Sequence, residues 1–133
     1  MFQQTITVFN EYKVKGKSYF FPTIFRNVEL QKTHGRNISK TGVITANKAI
    51  VVIGKESMGK PFLEPKRWQE QGMEQAKAYF TLTAMKNDFF IEGEYAEIVE
   101  DYELFIHDKD NAFVITTVDK YESILPHIEI GGV

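Results

Sequence analysis

Hydrophobic and polar side chains alternate with a period of two along much of the chain, and this pattern is typical of β-strands. Strands are predicted at residues 5–14, 23–33, 43–53, 89–93, 112–118 and 127–131. The apolar positions of these strands predict a core of Val8, Val28, Leu30, Val51, Ile53, Ile91, Phe113, Ile115, Ile128 and Ile130. The chain is therefore expected to be mainly β.

The last two predicted strands organise the chain. Phe113 and Ile115 point to one face and Val114 and Val118 to the other, which indicates a central strand covered on both sides. Pro126 cannot donate a ladder hydrogen bond, so it fits a strand start or an edge. A chain that ends on such a strand is expected to close a sheet or barrel with its last residues. The stretch 49–53, apolar on both faces, predicts another central strand.

Two helices are predicted outside the strands. Residues 65–78 begin with Pro65, which suits a first helical position, and Trp68 and Ala76 lie on one stripe. Trp68 is expected to anchor this helix on the sheet. Residues 98–106 carry a second apolar stripe opposite an acidic face, which predicts a short helix. Residues 79–83 predict a further short strand.

Two polar stretches are predicted to be mobile loops. Residues 34–42 are polar and contain two glycines, and residues 54–60 separate two apolar segments. The second stretch has the GxxxxGK spacing of a phosphate-binding loop. Pro61 follows where Ser or Thr is required, so we reject that motif.

Length and composition favour one domain, residues 1–133, with a folded core. The chain is 43% hydrophobic and 14% aromatic, and it has no cysteine. Disulfides and thiolate metal sites are therefore excluded. No basic stretch followed by an apolar run opens the chain, and no apolar stretch approaches the roughly 20 residues of a membrane helix, so a cytosolic protein is expected.

Charge is segregated along the chain. Residues 13–67 hold twelve Lys or Arg against three acids, a net charge of +9, and residues 88–110 hold nine acids against one lysine, a net charge of −8. Three interpretations follow. The two segments neutralise each other within one fold, the basic surface binds nucleic-acid phosphates, or the two surfaces meet across a subunit boundary.

The sequence contains no set of residues typical of catalysis or metal binding. His34, His107 and His127 lack a second ligand at zinc-like spacing, and Asp108 and Asp110 lack the glycine and glutamate of a calcium loop. No Ser or Thr has the glycine context of a nucleophile. We therefore expect no enzyme activity, no cofactor and no metal.

The second half of the chain resembles short phage head-completion proteins, the connector or stopper subunits of tailed-phage necks. The resemblance covers the chain from residue 79 onward. It lies in an aromatic-Thr helix exit, an Asp-led apolar strand closed by Gly, a short acidic helix, and a Leu-Pro-His ending with two glycines. The matching positions are Phe80-Thr81-Leu82, Asp88 through Gly93, Val114 through Asp119, and Leu125 through Gly132.

This resemblance implies a mainly β fold, a small closed or partly open β-barrel with one or two short peripheral helices. It also implies a ring-forming virion protein of the head-tail connector, located in the neck and present in the host cytoplasm before assembly. The implied partners are other copies of the chain, portal or adaptor proteins and tail-completion proteins, with non-specific contact to packaged DNA and none to a membrane. Combined with the charge segregation, it predicts a subunit interface of Lys32, Arg36, Lys55, Glu97, Glu100 and Asp101. The predicted contacts to DNA or portal are Arg36, Lys40 and Lys60.

A different class of function stays open, a small β-barrel that binds single-stranded nucleic acid. In that alternative Tyr19, Phe20, Phe21 and Phe25 stack on bases above a basic groove.

Overall fold

The computed structural model describes residues 3–39, 42–122 and 125–133, and only the backbone within residues 33–47. Six antiparallel strands close into a ring in the order β1-β2-β3-β6-β5-β4. They are β1 Gln4–Val14, β2 Lys17–Ser39, β3 Gly42–Gly54, β4 Phe89–Glu92, β5 Ala112–Tyr121 and β6 His127–Gly132. The prediction of a mainly β barrel is confirmed, and so is the place of six of the seven predicted strands.

Two strands bend so that the ring can close. Residues 17–28 of β2 pair with β1, and residues 29–39 pair with β3. Asn27 is the extra residue of a bulge at this change of partner, with φ +59°, a conformation that Asn tolerates. A second irregularity lies in β5 between Ile115 and Thr117, where pairing passes from β4 to β6.

Apolar side chains from all six strands fill the barrel interior. Of the ten predicted core residues, nine are buried, and Leu30 is half-buried against the same cluster. Phe80 and Leu82, from the segment between β3 and β4, complete the filling. The core prediction is confirmed almost throughout because the alternation of a half-buried strand reports which face is inside.

Short helices cover parts of the barrel surface. Helix α1 (Pro65–Glu70) and helix α2 (Met73–Ala76) replace the single predicted helix, because Gln71 and Gly72 are extended. Trp68 is 1% exposed and packs against Tyr12 and Phe21 of the sheet, which confirms it as the anchor. Its Nε1 also donates a hydrogen bond to the Ala76 carbonyl at 3.0 Å, which joins α1 to α2. Helix α3 (Tyr102–Ile106) begins four residues later than predicted.

The prediction of a loop at residues 34–42 is wrong for those residues of the range that the structure describes, because they form strands. Strands β2 and β3 continue as a hairpin until Ser39 pairs with Gly42, and Lys40 and Thr41 lie outside the described residues. Backbone pairing needs no apolar side chains, so these residues form a paired ribbon without the apolar alternation that predicts a strand.

Two further expectations are corrected. Thr116 and Thr117 are exposed and Ile50 is 47% exposed, so β5 and β3 are covered on one face rather than both. Both strands nevertheless have a partner on each side, as central strands must. The predicted strand at 79–83 is reduced to one bridge between Phe62 and Phe80.

Candidate interaction surfaces

A β-hairpin extends beyond the barrel, and we call its residues 33–48 the arm. Strand β1 pairs with β2 only up to Val28, and β6 pairs with β3 only from Ala49. Within the described residues the two strands of the arm therefore pair only with each other. At about 3.3 Å per residue, seven residues in each strand extend roughly 23 Å. The arm contains His34, Arg36, Lys40 and Lys48 and no acidic residue.

Three ion pairs join the basic half of the chain to its acidic half. The distances are 2.7 Å for Lys17–Glu100, 2.7 Å for Arg26–Glu94 and 2.8 Å for Lys32–Glu92. The ring order causes this, since β2 runs beside β1 and β1 runs beside β4, whose exit carries the acids. Lys32 and Glu100, two residues of the predicted subunit interface, are thus engaged within the chain.

The acidic segment before and within α3 presents a second surface. Asp101, also predicted for the interface, caps α3 by accepting a hydrogen bond from Leu104 N at 3.1 Å. Leu104 is 73% exposed and Ile98 is 40% exposed. Glu97 and Glu103 are exposed and have no ion-pair partner among the described residues. We call Glu97, Ile98, Glu103 and Leu104 the acidic patch.

A groove of about 330 Å³ lies where the segment after β3 meets the β5–β6 turn. We call it the basic groove; its lining is Lys55, Met58, Phe62, Lys120, Tyr121, Glu122, Pro126, His127 and Ile128. Lys55 is exposed and has no ion-pair partner in the described part of the chain. Sequence reasoning found Lys55 but missed the groove, because its two segments are far apart in the sequence and no motif marks their contact.

Aromatic and charged contacts shape the basic groove. The Tyr121 and His127 rings stack with centroids 4.6 Å apart. Lys120 lies 4.8 Å from the Phe62 ring centroid and pairs with Glu64. The contact of the His127 ring with the Leu125 carbonyl raises the pKa of His127. The groove thus has aromatic rings at its wall. Lys55 and Lys120 lie there beside the acidic Glu122, and Lys55 is the lysine left without an ion-pair partner among the described residues.

Lys60 lies apart from the other predicted contact residues. Its Nζ donates to the Pro22 carbonyl at 3.2 Å and to Thr23 Oγ1 at 3.3 Å, beside the half of β2 that pairs with β1. Burial lowers the pKa of Lys60. It borders a cleft of about 320 Å³ with Tyr95. The structure therefore does not bring Lys60 together with the arm. The side chain of Arg36 and the whole of Lys40 lie outside the residues that the structure describes.

A buried polar cluster fastens residues 81–88 to β1. Asn10 Nδ2 donates to the Thr81 carbonyl at 2.6 Å and to Asp88 Oδ2 at 3.0 Å, and Glu11 N donates to Asp88 Oδ1 at 2.9 Å. Burial raises the pKa of Asp88 to about 6. Because the carboxylate is enclosed by its own chain and borders no described cleft, we assign the cluster a structural role.

The prediction that Tyr19, Phe20, Phe21 and Phe25 form an exposed platform for stacking on bases is wrong. Phe20, Phe21 and Phe25 are 4%, 3% and 0% exposed, and Tyr19 is half-buried. Phe20 packs under α3 on the outer face of the sheet, while Phe21 contacts Trp68. The aromatic run is buried because it packs into two different clusters.

The described residues contain no group of three His, Cys, Asp or Glu able to hold a metal ion. Asp108 pairs with the adjacent Lys109 at 3.2 Å. Among the same residues, no helix has the length and apolar character needed to cross a membrane.

Comparison with known protein families gives a match over the whole chain. The profile of a family of unknown function, DUF6751, matches residues 1–133. No curated protein and no solved structure matches the chain.

Proposed function

The chain belongs to the DUF6751 family, whose function is unknown, and we propose that it is a structural neck protein of a tailed phage or prophage. In this role it is a subunit of a head-closure or head-tail connector ring. The ring joins the portal to the tail and retains packaged DNA. Its partners are other copies of the chain, portal or adaptor proteins and tail-completion proteins.

The arm is the observation that carries this proposal. A closed barrel offers no free strand edge, whereas a hairpin beyond the barrel has two. An isolated two-stranded hairpin is marginally stable in water, so it gains from adding a strand to a neighbouring sheet. Its basic composition without acids also suits contact with phosphates in a DNA channel.

The resemblance of residues 79–133 to head-completion proteins supports the same role. The acidic patch and the basic groove add two chemically different surfaces on one small subunit, and a ring needs two such surfaces for a head-to-tail contact.

Deleting the gene from the phage or prophage that encodes the chain tests the proposal. A neck subunit is required after DNA packaging, so induced cells should contain heads that lose their DNA and tails that remain unattached. Electron microscopy of the lysate distinguishes these particles. Complementation with the intact gene is the control. Normal infectious particles from the deletion strain, or purified particles that lack the chain, would contradict a neck role.

Binding of single-stranded nucleic acid remains the rival because the arm is basic. Without an exposed aromatic platform, we expect weak binding that depends steeply on salt. Replacing Arg36 and Lys40 by Ala should reduce the log–log salt slope by roughly 1.4, at about 0.7 per lost phosphate contact on a single strand. Lys66→Ala with Arg67→Ala, on exposed positions of α1, is the matched control. Tight, salt-tolerant binding in an anisotropy titration would favour the rival.

A further inference from the structure

We infer that the acidic patch of one copy docks into the basic groove of a second copy. In this contact Leu104 is seated against Met58 and Phe62, and Glu103 approaches Lys55. The inference rests on the proposed ring and names the contact that builds it.

The position of Leu104 suits contact with another molecule rather than packing in the core. Its neighbours Tyr102 and Phe105 pack against the cluster around Phe89, so the inner side of α3 is already occupied. Leu104 points away from that cluster and is 73% exposed. Ile98 adds a second exposed apolar side chain to the same segment. Covering the side chains of Leu104 and Ile98 is favourable, since it removes apolar surface from water.

The basic groove offers an apolar floor at a suitable scale. Met58 and Phe62 are half-buried and pack against the barrel interior, so their inner sides are fixed. The volume of about 330 Å³ accommodates an aliphatic side chain together with part of the helix that carries it. Tyr121 is 46% exposed at the wall and becomes covered when the groove is filled.

Charge selects the acidic patch as the occupant. Glu97 and Glu103 lack a cationic partner, and Lys55 lacks an anionic one, among the residues that the structure describes. Since Lys120 pairs with Glu64 and Glu122 also lines the groove, Lys55 is the cation on which this complementarity rests. The other acids of the segment are engaged: Glu94 with Arg26 and Glu100 with Lys17. Complementary charge at the rim of a contact sets its register and discourages wrong partners.

The two surfaces lie on different parts of the barrel. The segment that carries the acidic patch covers the outer face of β1 and β4, and the basic groove lies beside β3, β5 and β6. One copy therefore keeps a free groove after its patch has docked. Such a heterologous contact continues from copy to copy and closes into a ring when the rotation permits.

Disulfide trapping tests the contact, because the chain has no cysteine of its own. Leu104→Cys and Met58→Cys are made as separate variants, mixed, and oxidised mildly. The mixture should form covalent dimers, neither variant alone should form more than trace amounts, and the double variant should form a ladder of higher oligomers. Met85→Cys, 91% exposed and outside both surfaces, mixed with Leu104→Cys controls for random collision.

A charge exchange provides a second test that leaves Met58 intact. Glu103→Lys should abolish the ladder expected from wild-type chain treated with a zero-length carboxyl–amine crosslinker, and Lys55→Glu in the same chain should restore it. Equal trapping with Met85→Cys, dominant Leu104–Leu104 dimers, or an unchanged ladder in Glu103→Lys would overturn the inference.

Failure of this contact is distinguishable from failure of the neck role. If the gene deletion gives the head-completion phenotype but neither test detects the contact, the ring uses another surface. If both tests detect the contact but deletion leaves the particles normal, the chain self-assembles for a different purpose.

Discussion

Asp88 is a single residue whose burial makes stability depend on pH. Its pKa of about 6 in the folded chain exceeds the usual 3.8, so the folded state retains this proton to higher pH than the unfolded state. This contribution to stability is complete below about pH 4 and is lost as pH rises through about 6. The difference between these two pKa values corresponds to roughly 3 kcal/mol of unfolding free energy, at about 1.4 kcal/mol for each tenfold change in proton affinity.

Urea unfolding of the wild type and Asp88→Asn between pH 4 and 7 measures this effect. The difference between the two unfolding free energies should change over this range, and titrations shared by both proteins cancel. Asp119→Asn, an exposed position on β5, is the control and should retain the wild-type profile. Parallel profiles for wild type and Asp88→Asn would show that Asp88 does not titrate as its burial implies.

Ile115 and Ile50 provide a matched comparison of inside and outside positions. Ile115 is 1% exposed in the barrel interior, so Ile115→Ala should cost about 2–5 kcal/mol of unfolding free energy. Ile50 is 47% exposed on the outer face of β3, so Ile50→Ala should cost within about 0.5 kcal/mol. Chemical denaturation measures both, and equal losses would contradict the assignment of faces.

The sequence predicted the burial of Ile115 but not that of Phe20 or Asp88. The alternation of apolar and polar residues indicates which face of a strand is buried, and Ile115 lies on that face. Phe20 and Phe21 are neighbours with opposite directions, and both are buried because a second layer covers the sheet there. The sequence around Asp88 is typical of a turn. The hydrogen bonds to its carboxylate are donated by residues of β1, which are distant in sequence, so the local pattern could not predict its burial.

At the scale of elements, apolar alternation predicted the strands wherever they cover the core. It failed for the arm, where residues 34–42 lack that alternation, and for the helix at 65–78, which Gln71 and Gly72 interrupt. The basic groove and the acidic patch could not be predicted as surfaces, because each depends on how elements pack rather than on local pattern.

The junction of β5 and β6 depends on Gly132. A Cβ built at this residue would lie 2.8 Å from the Phe90 ring, 2.9 Å from Phe113 Cβ and 2.9 Å from the Val114 carbonyl oxygen. The last of these is backbone and cannot rotate away. Gly132→Ala should therefore cost about 1–3 kcal/mol through overpacking. Thermal or urea unfolding measures the loss.

Gly59→Ala is the control for that substitution, since a Cβ there meets no heavy atom within 4 Å. It should leave the unfolding free energy within about 0.5 kcal/mol of the wild type. If Gly132→Ala is as stable as Gly59→Ala, the two strands approach each other less closely than the structure indicates.

At the scale of the whole molecule, charge segregated along the sequence is partly paired in space. The sequence offered three interpretations of the +9 and −8 segments, and the ion pairs within the chain support the first for Lys17, Arg26 and Lys32. Sequence alone could not select it, because the pairing depends on the ring order of the strands. Lys55, Glu97 and Glu103, which have no ion-pair partner among the described residues, are the charges that we propose for the contact between copies.

The Lys32–Glu92 pair tests this division of charges. Its side chains are 30% and 36% exposed, so solvent screens the 2.8 Å contact and its coupling should be small, about 0.2–1 kcal/mol. A double-mutant cycle of Lys32→Ala and Glu92→Ala, read from urea unfolding, measures that coupling. It should fall toward zero in 1 M salt, where the screening length is about 3 Å. A coupling of zero at low salt would mean that Lys32 is free in solution, and Lys32 would then return to the residues available to a neighbouring subunit.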